Sequence, residues 1–326
     1  MTSTADSAID VYLSADDIRR ALAADVFAGL SATPKDLPPK WFYDAQGSAL
    51  FEKITRLPEY YPTEAERSIL VRYSGAIADL ANADTLVELG AGSADKTRVL
   101  LDAMRAHGSL ERYVPFDVSE SALVTASKMI TAQYPGLTVR GVVGDFDRHV
   151  EMIPDGGTRT IAFLGGTIGN FVPGARVHFF ARLAAQMKAH DTLLLGADLV
   201  KDPARILRAY DDEAGVTAAF NKNVLAVINR ELHASFDLDQ FEHVARWDPV
   251  NEWVEMWLRS TVHQQVTVRD IGITVEFARG EEMRTEISAK FRREGICREL
   301  ASAGLELLGW FTDRADDYAL ILTRKP

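Results

Sequence analysis

The chain has one cysteine, Cys297, in 326 residues. No internal disulfide can form, so the fold must rest on its own core, and the reducing cytoplasm is the expected setting. No uninterrupted apolar run approaches the length of a membrane span. Residues 1–10 lack the basic start and apolar stretch of a secretory leader. Basic residues are in deficit: 36 Lys and Arg face 47 Asp and Glu, for a formal net charge of −11. That argues against nucleic acid as the main partner, because phosphate binding needs a basic footprint. The seven histidines are scattered, and none forms a His-Glu-x-x-His pair or a two-histidine, one-carboxylate cluster, so no metal site is expected. There is no Gly-x-Ser-x-Gly elbow for acyl transfer and no Walker loop for a nucleoside triphosphate. Cys297 sits in a helix-like run and is expected to be a small buried apolar residue.

What the chain does have is concentrated in Thr85-Leu86-Val87-Glu88-Leu89-Gly90-Ala91-Gly92-Ser93. An apolar strand runs into a Gly-x-Gly turn, and helix-forming sequence follows from about Ala94 to Ala106. Glycine lets the backbone approach a nucleotide closely, and the helix N-terminus completes the cradle. A dinucleotide fingerprint needs a third glycine, and Asp95 stands there instead. A pyrophosphate is poorly served by that acid, whereas the sulfonium of S-adenosylmethionine is cationic and carries no phosphate. Two more strands end in carboxylates. Asp117 closes Tyr113-Val114-Pro115-Phe116-Asp117, where a ribose diol is held in Rossmann-like folds. Asp145 and Phe146 close Val142-Val143-Gly144-Asp145-Phe146, an acceptor for an adenine amine beside a ring to lie against it. The plain alternative for both acids is that they cap the next helix or turn.

Ser14 and Asp17 form a capping-box pattern ahead of a helical stripe, and Thr63 and Glu66 read as the cap of a second helix running to about Leu80. Strands centred on Val87, Val114, Val139, Ala162 and Leu194 alternate with helices, which implies a parallel, doubly wound sheet. The alternation stops after Asp198. Residues 203–231 read as helix and 252–277 as strands, and the end returns to a helix near 293–303 and a terminal hairpin. The expected architecture is therefore α/β: a Rossmann-like class I methyltransferase domain with a mostly parallel seven-stranded sheet, built from 66–198 and 291–326. Residues 1–65 and 199–290 form a second, α+β, substrate-binding domain. Its aromatic residues read more readily as core than as ligand cage.

Four segments outside the cofactor motifs carry a closer likeness: Leu37–Gly47, Ile54–Pro62, Phe163–Asn170 and Ala209–Phe220. With them, nearly the whole chain resembles the bacterial L-histidine Nα-methyltransferases of ergothioneine biosynthesis. The resemblance implies transfer of three methyl groups from S-adenosylmethionine to the α-amine of L-histidine, giving hercynine and S-adenosylhomocysteine, with no obligate protein partner. It assigns Tyr60, Gly90, Lys96, Asp117, Asp145 and Phe146 to the cofactor. Tyr43, Gly165 and Thr167 lie around the α-amine, and Asn170 and Tyr210 at the carboxylate. Tyr60, Glu286 and Ser288 fall on the imidazole side, with Phe51 and Met256 lining the pocket. The chemistry of those residue types agrees. Asn170 follows the fourth strand of the alternation, at the edge where open α/β sheets bind ligands. A carboxylate and a hydroxyl two residues apart can address both ring nitrogens of an imidazole. The competing readings are an Nα-methyltransferase of another amino acid such as tryptophan, a non-catalytic binding protein on the same scaffold, and a dehydrogenase.

Overall fold

The computed structural model describes residues 8–92 and 96–326. Asp95, on which the argument against a dinucleotide rested, lies outside the described residues, as do residues 1–7. In chain order the strands are β1 Ala8–Val11, β2 Lys35–Asp36, β3 Thr85–Leu89, β4 Arg112–Asp117, β5 Thr138–Val143, β6 Arg159–Phe163, β7 Thr192–Asp198, β8 Phe241–Asp248, β9 Trp253–Ser260, β10 Gln264–Val268, β11 Ile273–Phe277, β12 Glu282–Ala289, β13 Glu306–Thr312 and β14 Tyr318–Arg324. The chain divides into two compact units. The first comprises Pro62–Val200 and Phe291–Pro326 with the described residues up to Ser14, and the second comprises Ala15–Tyr61 and Lys201–Lys290.

The first unit holds a sheet in the order β1-β5-β4-β3-β6-β7-β14-β13. The ladders from β1 to β7 are parallel, and β14 and β13 close the far edge antiparallel. β3, β6 and β7 are buried at every residue, which is why they read as near-continuous apolar runs rather than as alternation. Their charged members are paired inside. Arg159 meets Asp191 at 2.6 Å, and neither side chain is more than 1% exposed. The sheet has eight strands where seven were expected. The addition is β1, four residues exposed at both ends and too short to announce itself. Its register on β5 runs from Ala8 opposite Arg140 to Val11 opposite Val143. The covering helix begins at Thr97 and puts Leu100, Leu101 and Met104 into the core. Among the described residues no helix is long and apolar enough to cross a membrane.

The second unit has a four-stranded sheet, β2-β12-β9-β8, and a separate β10–β11 hairpin. Its core gathers Leu22, Val26, Phe42, Phe220, Leu225, Met256, Leu258 and Phe277. Three expectations need correction. Residues 203–231 are two helices, Pro203–Tyr210 and Val216–Leu232. Between them Gly215 takes φ 72°, and Asp212 accepts from the backbone N–H groups of Val216 and Thr217 at 2.9 and 2.7 Å, a local cap that starts the second helix. The helix credited to Thr63 and Glu66 begins at Tyr61, and Glu66 serves a different purpose, described below. Cys297 is half-buried rather than buried, and burial pushes its thiol pKa up. In β9 it is Val254, Met256 and Leu258 that face the core, while Trp257 lies on the other face with its indole N–H on Glu255 at 3.0 Å.

Candidate active site

In the first unit the strand order turns back at β3, which has β4 on one side and β6 on the other. The carboxyl ends of strands at such a switch point are where open α/β sheets take ligands. The chain leaves β3 through Gly90, at φ 76°, whose N–H donates to the Phe116 carbonyl at 2.8 Å. Gly92, at φ 48°, donates to Asp117 Oδ2 at 3.2 Å, and Ser119 N–H donates to Oδ1 at 2.9 Å. Asp117 is thus aimed by backbone donors at the mouth of the glycine turn. Burial raises its pKa, and those N–H groups pull it back. Among the described residues, a Cβ at Gly90 or Gly92 would meet no heavy atom within 4 Å. Left-handed backbone and an oriented carboxylate suit a nucleoside. Beneath the turn, Glu88 accepts from the hydroxyls of Thr97 and Tyr113, and burial lifts its pKa to about 7.

Asp145 caps the short helix Phe146–His149 through the Asp147 N–H at 2.9 Å. A carboxylate has roughly four acceptor directions, so this cap does not exhaust it. Phe146 is half-buried, edge-on to Phe163 at 5.2 Å.

Lys96 is engaged by Glu66. Glu66 is fully buried, and its Oε1 also accepts from Gly165 N–H at 2.7 Å and from the Tyr318 hydroxyl at 2.8 Å. A Cβ at Gly196 would lie 2.4 Å from that oxygen, so glycine makes room for the acid. The sequence pattern marks Glu66 only as part of a helix cap. The available signal was an acid on the helical stripe that continues through Ile69, Leu70 and Tyr73. With the Gly165 N–H donated to Glu66, the group of Gly165 that can meet an amine is its carbonyl, an acceptor. Gly165 and Gly166, at φ 76° and 70°, bend the loop into the turn Thr167–Asn170, and Thr167 Oγ1 donates to the Leu164 carbonyl at 3.2 Å.

In the second unit the expected pocket residues converge. Tyr43, Phe51 and Phe220 meet edge to face or tilted at 5.4 to 5.8 Å. Phe51 reaches Tyr60 at 6.1 Å, and Tyr60 reaches Tyr210 at 6.3 Å. Tyr43 is 40% exposed, yet its hydroxyl end is walled in: burial, then Glu286, Tyr60 and Tyr210, push its pKa well above the usual value. Glu286 reaches this group through a β-bulge. In the β12–β9 ladder Arg284 pairs with Trp257, but Glu286 pairs with Met256, the very next residue. Thr285 is the extra residue, and it turns Glu286 away from Arg284 to the Met256 face. Part of Glu286 is open to solvent, but its carboxyl is desolvated, which lifts its pKa to about 8; Lys290 is the charge that pulls it down. Ser288 Oγ lies 2.7 Å from the Tyr210 hydroxyl.

Behind Tyr210 sits a buried polar chain. Thr285 donates to Asn221 Oδ1 at 2.6 Å, so the Asn221 amide nitrogen faces His243 Nδ1 at 2.8 Å. The other ring nitrogen, Nε2, meets the Tyr210 carbonyl at 2.8 Å and must carry the proton. The ring is therefore held neutral, and burial lowers its pKa from 6.5. The unfolded chain takes up a proton here that the native chain refuses. The stability contributed is complete above about pH 6.5 and is lost as pH falls through the lower native value. Thermal melts between pH 5 and 8 should show a shallower acid-side decline in His243→Gln than in the parent, and equal slopes would refute the assignment. Among the described residues no group of three or more His, Cys, Asp and Glu is arranged to hold a metal ion.

A family model described as histidine-specific, S-adenosylmethionine-dependent methyltransferase matches residues 22–325. The chain is 55% identical to the histidine N-alpha-methyltransferase of Mycobacterium tuberculosis, covering 96% of this chain and 98% of that one. It is 56% identical to the protein of the same name from Mycolicibacterium smegmatis, covering 95% and 97%. It is also 31% identical to an L-tryptophan methyltransferase of Psilocybe serbica, covering 93% and 92%.

Proposed function

The chain belongs to the histidine-specific, S-adenosylmethionine-dependent methyltransferase family, and from that premise we propose how its residues carry the reaction. It is an enzyme that transfers three methyl groups from S-adenosylmethionine to the α-amine of L-histidine, giving hercynine on the way to ergothioneine. The observation that carries the substrate reading is the bulge that sets Glu286, with its desolvated carboxyl, beside Met256. An imidazole has a basic nitrogen to meet that acid, and an indole has none. The most direct test incubates the purified protein with S-adenosylmethionine and each amino acid in turn, and follows mass gain in methyl units. Gains of up to three methyls confined to histidine are expected, and equal gain on tryptophan would favour the tryptophan reading.

When bound, S-adenosylmethionine supplies the electrophilic methyl, so the chain's own work is to position and desolvate. On the cofactor side we assign Asp117 to the ribose diol, Asp145 and Phe146 to adenine, and Gly90, Lys96 and Tyr60 to the remainder. Lys96 is pre-aimed for a carboxylate by its pairing with Glu66. Glu286, Ser288 and Tyr60 are assigned to the imidazole, with Phe51 and Met256 as walls, and Asn170 and Tyr210 to the carboxylate. Tyr43, Gly165 and Thr167 are assigned to the α-amine. The raised pKa of Tyr43 keeps its hydroxyl protonated, so it orients the amine and relays a proton to water rather than acting as a phenolate base. Desolvation lowers the pKa of the substrate ammonium, which helps it lose a proton before each transfer. The quaternary product has no proton left to lose, and transfer ends there. We place the activity in the cytoplasm, in keeping with the single cysteine.

Asp117→Ala leaves two hydroxyls without their acceptor, so S-adenosylhomocysteine affinity should fall by about 1–3 kcal/mol. Isothermal titration of the folded variant checks this, and unchanged affinity would remove Asp117 from the cofactor site.

A further inference from the structure

Glu66 is fully buried in the first unit, on the helix Tyr61–Ala81. Its two oxygens serve two different parts of the site. Oε2 engages the ammonium of Lys96, which stands immediately before the helix Thr97–His107. Oε1 accepts from the Gly165 N–H at 2.7 Å and from the Tyr318 hydroxyl at 2.8 Å. The two arms are neighbours in space, since a Cβ built on Gly165 would lie 3.8 Å from Lys96 Nζ. The Lys96 side chain is 31% exposed, so the lysine is anchored from inside and reached from outside.

The fold makes room for this acid. A Cβ at Gly196, on β7, would fall 2.4 Å from Oε1 and 2.6 Å from the Tyr318 hydroxyl oxygen. Stability gives little reason for a carboxylate here. An apolar side chain would continue the stripe of Ile69 and Leu70, and replacing a buried ion pair by packed hydrophobes is often neutral or stabilising. What the acid alone can do is fix a cation and a backbone N–H at one separation. Lys96 is assigned to the carboxylate of the cofactor and Gly165 to the α-amine. Methyl transfer forms an N–C bond as the C–S bond breaks, with the bonding pair left on sulfur, so amine, methyl and sulfur must lie in line. A misplacement of about 1 Å can cost about 100-fold.

We propose that Glu66 is a positioning residue for methyl transfer: through Lys96 it sets the methionine end of the cofactor, through the Gly165 N–H it sets the loop at the α-amine, and one carboxylate thereby aligns donor with acceptor. This rests on the assignments of Lys96 and Gly165.

The test titrates S-adenosylhomocysteine and 5′-methylthioadenosine into the parent, Glu66→Gln, Glu66→Ala, Lys96→Met and the Glu66→Gln, Lys96→Met double variant, and measures kcat and KM for histidine in each. 5′-Methylthioadenosine keeps the nucleoside and lacks the methionine carboxylate. Glu66→Gln retains an oxygen for Gly165 and Tyr318 but turns an amide N–H toward Lys96. It should weaken S-adenosylhomocysteine by about 10- to 100-fold and leave 5′-methylthioadenosine within about threefold. Lys96→Met should do the same, and adding Glu66→Gln to it should cost less than about threefold more. Under saturating S-adenosylmethionine, kcat should fall about 10- to 100-fold in Glu66→Gln while the KM for histidine stays within about threefold. Glu66→Ala, which releases the Gly165 N–H as well, should lower kcat below that of Lys96→Met. If Glu66→Ala does not fold, Glu66→Gln and the double variant decide. Equal weakening of both nucleosides in Glu66→Gln would reveal a merely structural acid and overturn the proposal, as would an undiminished effect of Glu66→Gln on the Lys96→Met background. Folded Glu66→Ala with a kcat no lower than that of Lys96→Met would overturn the alignment through the loop. If Lys96→Met fails to separate the two nucleosides, the assignment of Lys96 falls and this proposal with it. If Lys96→Met separates them and Glu66→Gln does not, the role of Glu66 alone is overturned.

Discussion

Glu286→Ala should lower kcat/KM for histidine by a factor of about 10²–10⁴, and combining it with Met256→Val should bring measurable activity on tryptophan. The size follows from what the carboxyl is. Its pKa stands near 8, so around neutrality it holds a proton that an imidazole nitrogen can accept or take. A site built to hydrogen-bond its substrate rejects analogues that leave the buried group unpaired. Alanine removes both the attraction for imidazole and the penalty on an apolar ring. Met256 is 2% exposed and faces Glu286 across the ladder, so trimming it to valine opens space where the larger ring must go. Both changes face one ligand, and their effects need not add. The check is kcat/KM for histidine and tryptophan in the parent, both single variants and the double. An unchanged histidine-to-tryptophan ratio in folded Glu286→Ala protein would return Glu286 to the status of an ordinary strand acid.

The same acid shows where sequence reasoning stopped. Strict alternation along Glu282, Arg284 and Glu286 puts all three on one face, and Glu282 and Arg284 do make exposed ion pairs there. Glu286 escapes because Thr285 is bulged, and Thr285 bonds Asn221, distant in sequence on the helix Val216–Leu232. No local pattern encodes a contact of that range. The same holds for Glu66, whose partners Lys96, Gly165 and Tyr318 come from three separate stretches of chain. Where the determinant is local, the sequence was sufficient. The glycine turn is legible from Gly90 and Gly92 themselves, although the groups it bonds, the Phe116 carbonyl and Asp117, come from the next strand, and the parallel order of β3 to β7 follows from their apolar runs. The break in 203–231 is local as well: Asp212 and Gly215 carry ordinary cap chemistry, hidden by apolar residues that continue in helical spacing on both sides.

The carboxylate end gives the second large effect, with the opposite signature. Every amino acid carries the group assigned to Asn170 and Tyr210, so these residues should set affinity without setting preference. Histamine lacks the carboxylate, and losing two bonds to a charged group at about 1.5–3 kcal/mol each predicts a kcat/KM about 10²–10⁴ below that of histidine. Tyr210→Phe deletes the hydroxyl that Ser288 and Lys290 hold in place. It should weaken histidine by about 10- to 100-fold. In a Glu286→Ala, Met256→Val background it should weaken tryptophan by the same factor, so the ratio between the two rings stays put. Asn170→Ala, which removes the amide at the end of the turn Thr167–Asn170, should act likewise. Mass spectrometry of methylated products and kcat/KM for histidine, tryptophan and histamine across these variants separate the two ends of the substrate. Glu286 variants move the ratio between rings, whereas Tyr210 and Asn170 variants move all carboxylates together and leave histamine where it was. Histamine methylated as fast as histidine would show that the carboxylate is not gripped, and Asn170 would then be a turn residue among glycines.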